Sequence, residues 1–153
     1  MRLKVSLSIA LVMLCVFGIG RAAPPPALQP VDGCVIWVDF WASWCVPCRR
    51  SFPWLNSMHR KYGGEGLQVI GVNLDKDRAL ADAFLAEVPA EFALRFDPTG
   101  ALAKQYGVQA MPSSFLIDAD GNVLASHAGF RTADSADYEK AITDALSKPR
   151  LQR

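Results

Sequence analysis

The sequence has no dominant charge, because 16 lysines and arginines face 15 aspartates and glutamates. Proteins that bind nucleic acid usually carry a basic patch or a basic excess, so this composition gives no indication of a nucleic-acid partner. Histidine is scarce as well: only His59 and His127 occur, and they are isolated from each other. Internal repeats are absent, and so are low-complexity segments other than one short proline-rich stretch.

Long apolar runs are also absent, except for one at the N-terminus. Residues 5–20 are mostly apolar, follow Arg2 and Lys4, and precede small residues around Ala22. A basic start, an apolar middle and a small-residue exit are typical of a secretory signal peptide, which we predict at 1–22. The alternative is an uncleaved membrane anchor, although the run is shorter than the roughly 20 apolar residues that span a bilayer.

Cleavage after Ala22 would remove three basic residues and leave 13 basic against 15 acidic ones, a net charge of −2. The rest suffices for one domain with a hydrophobic core, predicted at 31–148, between a proline-rich leader at 23–30 and a frayed tail at 149–153. Export predicts a location in the periplasm or cell envelope, where disulfides persist. Three cysteines remain in the exported chain: Cys34, Cys45 and Cys48.

The hydrophobic pattern predicts strands that alternate with helices. Strands are predicted at 34–40, 67–74, 92–96, 114–117 and 123–126, and helices at 46–62, 77–87, 98–106 and from Asp134 or Ser135 to Leu146. In the second helix, Leu80, Phe84 and Leu85 should lie on one face. Parallel strands first and an antiparallel hairpin last predict an α/β fold, with a mixed central sheet and helices on both faces.

Cys45 and Cys48 are three residues apart at a predicted strand-to-helix turn, so their sulfurs can share one face of the first helical turn. The unpaired amides and the helix dipole at this N-terminus favour a negative charge on Cys45. The Cys48 amide is the natural donor to that thiolate, while Pro47 has no amide and presets the backbone. The pattern predicts that Cys45 attacks a disulfide and that Cys48 resolves the mixed disulfide.

This cysteine pair has two other interpretations. A zinc site needs further ligands at suitable spacing, and the sequence offers only Cys34 and two isolated histidines. A purely structural disulfide that closes so short a loop would restrain little chain entropy. We therefore expect no metal, and no cofactor other than the redox-active Cys45–Cys48 disulfide itself.

The segment 38–48, VDFWASWCVPC, resembles the thioredoxin superfamily, and especially the exported TlpA/ResA-like thioredoxins. The resemblance runs from residue 31 to residue 146 and includes Pro53, the segment 106–112 and Gly129. It implies a thioredoxin fold with a TlpA/ResA-like strand–helix insertion within 77–106. It also implies activity as a protein-disulfide oxidoreductase.

By this resemblance, Pro112 is the cis-proline that faces the dithiol, and the Met111 backbone pairs with an extended substrate strand. Alternatively, Pro112 is an ordinary trans proline in a turn. The resemblance also implies a substrate groove around the dithiol, although each of its side chains could instead simply pack in the core. The expected groove residues are Trp41, Trp44, Val46, Pro47, Met111 and Phe130.

Asp39 is an acid in the middle of a buried strand, where burial should raise its pKa. It matches the aspartate that relays protons to the resolving cysteine in thioredoxins; the alternative is an incidental carboxyl with local hydrogen bonds. The lysine that cytosolic thioredoxins place beside this aspartate aligns with Gly71. No charge partner is therefore expected at that position.

Two further residues bear on the subtype within the family. Ser51 stands where many TlpA/ResA-like proteins have an acid, and Ser113 stands where cytochrome-c maturation members have a glutamate. These departures argue against dedicated haem-thiol reduction.

Cys34 is most simply a buried small residue, and the alternative is an intermolecular disulfide.

The resulting hypothesis is a thiol:disulfide oxidoreductase that acts on cysteines of exported proteins, as a reductant. Its partners would be those protein substrates and a membrane thiol electron donor, and the chain itself would be a monomer. Two rivals use the same residues or fold. A copper chaperone or metallo-thiol assembly factor could bind Cu(I) through the dithiol, and a thiol peroxidase would need a different cysteine motif.

Overall fold

The central strand of the sheet is β1, Val35–Trp41, and all seven of its residues are buried. The computed structural model describes Leu28 and residues 34–148. The predicted signal peptide or anchor, nearly all of the proline-rich leader and the tail 149–153 lie outside the described residues. Within 34–148, no helix has both the length and the hydropathy that crossing a membrane requires.

Four other strands complete a mixed sheet: β2 Leu67–Asn73, β3 Ala93–Phe96, β4 Ser113–Ile117 and β5 Val123–Ala128. Their spatial order is β3-β2-β1-β4-β5. The β1–β2 and β2–β3 pairs are parallel, whereas the β1–β4 and β4–β5 pairs are antiparallel. The predicted mixed sheet, with its parallel strands first and its antiparallel hairpin last, is confirmed.

Four α-helices connect and follow the strands: α1 Val46–Tyr62, α2 Arg78–Glu87, α3 Ala101–Gln105 and α4 Ser135–Leu146. Short 3₁₀ turns occur at Gly63–Glu65, after α1, and at Thr132–Asp134, before α4. The helices begin and end within a few residues of the predicted bounds.

Side chains of β1 alternate between two cores, as the period of two in a strand requires. Val35, Trp37 and Trp41 pack with side chains of α1, α2 and α4. Ile36, Val38 and Phe40 pack on the opposite face with Leu28 and α3. Helices therefore cover both faces of the sheet, as predicted. Asp39 has the parity of Trp37 and Trp41, so it faces the α1 side.

Burial differs along the predicted apolar face of α2, since Leu80 is 51% exposed. Ala81 and Phe84 are buried and Leu85 is partly buried. Residues three and four apart share a helix face, so this buried stripe starts at Ala81 and turns Leu80 toward solvent. The Asp77 side chain fixes the helix start by accepting a hydrogen bond from the Ala79 amide at 2.9 Å.

Candidate active site

Cys45 caps the N-terminus of α1, and its sulfur forms a disulfide with Cys48. The Cys48 amide donates to the Cys45 sulfur at 3.3 Å, and Pro47 lies in the first turn of the helix. The predicted amide donor to Cys45 is therefore in place even in the oxidised form. Cys45 is 3% exposed and Cys48 is fully buried, so Cys48 is the more shielded of the two sulfurs.

Exposed apolar side chains flank Cys45 along the chain. Trp44 is 69% exposed and Val46 is 65% exposed. Met111 is partly buried, and the Met111–Pro112 peptide bond is cis, as the family resemblance implies. Large apolar surface exposed beside a reactive group is typical of a site that binds a partner.

Two of the expected groove residues belong to the core instead. Trp41 is fully buried and packs against Phe52 and Phe84, with ring centroids 5.0 and 4.8 Å apart. Phe130 is 8% exposed and packs against Trp54. The expectation that Trp41 walls an open groove is wrong, because β1 extends through residue 41 and turns this indole toward α1. Phe130 likewise offers little surface.

Asp39 is 1% exposed and lies opposite Ser114 in the β1–β4 pair. The Ser114 hydroxyl donates to Asp39 Oδ1 at 2.6 Å. Asp39 Oδ2 has no hydrogen-bond partner among the described residues. Burial raises the pKa of Asp39 from 3.8 to about 7, against the lowering effect of the Ser114 and Ser51 hydroxyls. Near neutral pH this carboxyl can therefore both give and take a proton.

Ser51 connects the surroundings of Asp39 to the first turn of α1. Its side chain is buried near Asp39, and its hydroxyl donates to the Cys48 carbonyl at 3.1 Å. The same hydroxyl lies close enough to Asp39 to lower the pKa of its carboxyl, so Ser51 links that carboxyl to the first turn of α1. The position that holds an acid in many TlpA/ResA-like proteins is thus a small neutral neighbour of the Asp39 carboxyl here.

Gly71 lies beside Asp39 in the parallel β1–β2 pair. A Cβ atom at Gly71 would be 2.9 Å from a ring carbon of Phe92, 3.1 Å from a methyl of Leu94 and 3.2 Å from the indole nitrogen of Trp41. The position that aligns with the thioredoxin lysine is therefore filled by the neighbouring core. No side chain at residue 71 can provide a charge partner for Asp39 without displacing that core.

Gly71→Ala should lower the free energy of unfolding by about 1–3 kcal/mol, because overpacked cores must displace neighbouring side chains or backbone. Urea unfolding of the oxidised protein measures this loss. Gly64→Ala is the matched control, since a Cβ there meets no atom within 4 Å. Equal stabilities of the Gly71→Ala variant and the wild type would show that the space around residue 71 is not closed.

Two residues near the site were missed by the sequence reasoning. Ser114 becomes visible only once β1 and β4 are paired in register, since it is 75 residues from Asp39 along the chain. Asp75 follows β2 and accepts hydrogen bonds from Ser43, two residues before Cys45. The only local signal was an acid directly after a buried strand, which is common at sheet edges.

Cys34 and the disulfide lie at opposite ends of β1. Cys34 is a free, partly buried thiol just before the strand, whereas Cys45 follows its far end. Seven strand residues span about 23 Å, so Cys34 cannot reach either sulfur of the disulfide. Within residues 34–148, no three His, Cys, Asp or Glu side chains are grouped as metal ligands would be.

The sequence matches the family model described as Redoxin over residues 27–142. This chain belongs to the Redoxin family. The thiol-disulfide oxidoreductase ResA of Bacillus thuringiensis is 32% identical to it over 117 residues, which cover 76% of this redoxin and 68% of ResA. A DsbE homolog of Paracoccus denitrificans, described as a thiol:disulfide interchange protein, is 39% identical to it over 117 residues. The match covers 72% of this redoxin and 63% of that relative.

A solved structure gives the same result for the fold. The Chlorobium tepidum protein described as a DsbE-type thiol:disulfide interchange protein superimposes with a TM-score of 0.74 at 55% identity, covering 75% of this redoxin and 82% of that chain. The predicted thioredoxin fold and the predicted family are confirmed. This redoxin is a thioredoxin-like thiol:disulfide oxidoreductase, and Cys45–Cys48 is its redox couple.

Proposed function

We propose that this redoxin reduces disulfides of exported proteins in the periplasm or cell envelope. The asymmetry of its cysteine pair carries the proposal. Cys45 caps α1 between the exposed Trp44 and Val46, whereas Cys48 is fully buried. A substrate disulfide can therefore approach Cys45 along an apolar surface, whereas it cannot reach the buried Cys48 sulfur.

The proposed reaction consists of two exchanges. The Cys45 thiolate attacks one sulfur of the substrate disulfide, forms a mixed disulfide and releases the other substrate sulfur as a thiolate. The Cys48 thiol then gives its proton to the Asp39 carboxylate and attacks the Cys45 sulfur. The second substrate sulfur leaves as a thiolate. The substrate has gained two electrons, and the Cys45–Cys48 pair has become a disulfide.

The direction depends on how strongly the protein stabilises the Cys45 thiolate, since a strong oxidant has a strongly stabilised reduced form. Val46 and Pro47 contribute neither a charge nor a side-chain donor to that sulfur. Within residues 34–148, the stabilising features seen at Cys45 are the helix N-terminus and the Cys48 amide, which supports a reducing couple. A membrane thiol protein would return the electrons, and the redoxin would act as a monomer.

An assay of both directions tests the proposal. The redoxin, kept reduced by dithiothreitol, should accelerate reduction of insulin disulfides well above dithiothreitol alone. The oxidised redoxin should form few disulfides in reduced ribonuclease A. Cys34→Ala is the matched control and should behave as wild type, because Cys34 is at the far end of β1. Fast oxidation of ribonuclease A combined with slow insulin reduction would reverse the proposed direction.

A further inference from the structure

A buried carboxylate contacts the turn that leads into Cys45. Asp75 is 6% exposed, and its Oδ2 accepts from the Ser43 amide at 2.9 Å while its Oδ1 accepts from the Ser43 hydroxyl at 2.9 Å. The Asn73 side-chain amide also donates to Asp75 Oδ2, at 2.7 Å. Asn73 is held in turn, because the Asp75 amide donates to its Oδ1 at 3.1 Å. The carboxylate thus acts as an acceptor for three donors.

Chain geometry limits how far this charge can be from the redox couple. Ser43 precedes Cys45 by two residues, which span at most about 7 Å. Since both Asp75 oxygens lie 2.9 Å from Ser43 atoms, the carboxylate is within about 10 Å of the Cys45 backbone. The Cys45 amide also donates to the Ala42 carbonyl at 3.1 Å, which tightens the turn. The upper limit of about 10 Å between the carboxylate and the Cys45 backbone is about one Debye length, and burial of the carboxylate reduces screening by salt further.

We propose that Asp75 is a positioning residue that holds the turn 43–45 in place and whose negative charge destabilises the Cys45 thiolate. The N-terminus of α1 stabilises a negative charge on Cys45, and the nearby carboxylate opposes that effect. A less stable thiolate makes the reduced couple less favourable, so Asp75 keeps the Cys45–Cys48 couple reducing. The inference rests on the proposed function only in taking Cys45 as the exchanging thiolate.

Asp77 provides a matched comparison within the same loop. It has the same charge and is two residues from Asp75, but it is exposed and caps α2 through the Ala79 amide. It makes no hydrogen bond to the turn before Cys45 among the contacts within residues 34–148. If general surface charge set the stability of the thiolate, Asp77 and Asp75 would have similar effects.

The test is the equilibrium of the full chain with reduced and oxidised glutathione. Asp75→Asn should shift the equilibrium constant toward the reduced protein by about tenfold, which corresponds to about 30 mV for a two-electron couple. Asp77→Asn should leave the constant unchanged. Ser43→Ala keeps the charge and loses one hydrogen bond, so its shift should be clearly smaller than that of Asp75→Asn. Alkylation of Cys45 in the reduced protein at a fixed, mildly acidic pH should be faster in Asp75→Asn.

Three results would overturn the inference: no shift in Asp75→Asn, an equal shift in Asp77→Asn, or an equal shift in Ser43→Ala. Asp75→Ser, a smaller neutral acceptor, replaces Asp75→Asn in the same comparison if the latter does not fold. The wild-type equilibrium constant tests the proposed direction separately. The difference between Asp75→Asn and wild type tests the role of Asp75 whatever that wild-type constant is.

Discussion

Cys48→Ala should convert the protein into a covalent trap that holds substrate proteins through Cys45. Cys45 retains its place at the N-terminus of α1, so it can still attack a substrate disulfide. Without the second thiol, the mixed disulfide is not resolved and turnover should fall to the uncatalysed background. Non-reducing gel electrophoresis after reaction with insulin should show a new covalent adduct that dithiothreitol removes.

Cys45→Ala is the matched variant and should form no adduct, because Cys48 is fully buried and cannot meet a substrate. Cys34→Ala should retain full turnover. If Cys45→Ala formed the adduct and Cys48→Ala did not, the roles of the two cysteines would be exchanged. Adducts that persist in the double variant of Cys45 and Cys48 would instead identify Cys34 as the reactive thiol.

Asp39→Asn should remove a large part of the pH dependence of stability in the oxidised protein. The pKa of Asp39 is about 7 in the folded state, against an ordinary value of 3.8. As the pH rises from about 4 to about 7, the unfolded chain loses this proton while the folded protein keeps it, so the free energy of unfolding falls; above 7 the fall levels off. A pKa shift of this size lowers the free energy of unfolding by on the order of 4 kcal/mol. Asparagine does not ionise, so the variant should not show this loss.

The measurement is urea unfolding of wild type and Asp39→Asn between pH 4 and pH 8.5. The two stabilities should be similar near pH 4, and the variant should become the more stable protein as the pH rises. Burial lowers the pKa of His127, which makes stability rise with pH, but this contribution is common to both proteins and cancels in their difference. Parallel curves for the two proteins would contradict a raised pKa at Asp39.

Ser114→Ala provides an independent check on the same carboxyl. It removes the hydrogen bond that favours the ionised form, so the pKa of Asp39 should rise above that of wild type. The pH at which stability levels off should then move upward.

In the reduced protein, Asp39→Asn should also slow the resolution of mixed disulfides near neutral pH, since Cys48 would lose its proton acceptor.

Local sequence patterns were sufficient for the redox couple and most of the fold. The spacing of Cys45 and Cys48 at a strand-to-helix turn, and the alternating apolar runs, are properties of neighbouring residues. The family motif added the cis bond before Pro112, which composition alone does not indicate. The same motif led to an error at Trp41, because its side chain follows the parity of β1 rather than the opening of the site.

The contacts that tune the site were not predictable in the same way. Ser114 meets Asp39 only through the β1–β4 register, and Asp75 meets Ser43 only because β2 ends beside the turn that follows β1. Both contacts join residues more than 30 positions apart. The exposure of Leu80 was not predictable either, because its spacing to Phe84 suits a helix face and only packing against the sheet decides which side chains are buried.

The reduction potential of the Cys45–Cys48 couple, measured by equilibration with dithiothreitol and glutathione buffers, tests the proposed function most directly. A weakly stabilised Cys45 thiolate predicts a potential near thioredoxin's, about −270 mV. A potential near about −120 mV, that of a strong oxidant, would contradict the role as a reductant.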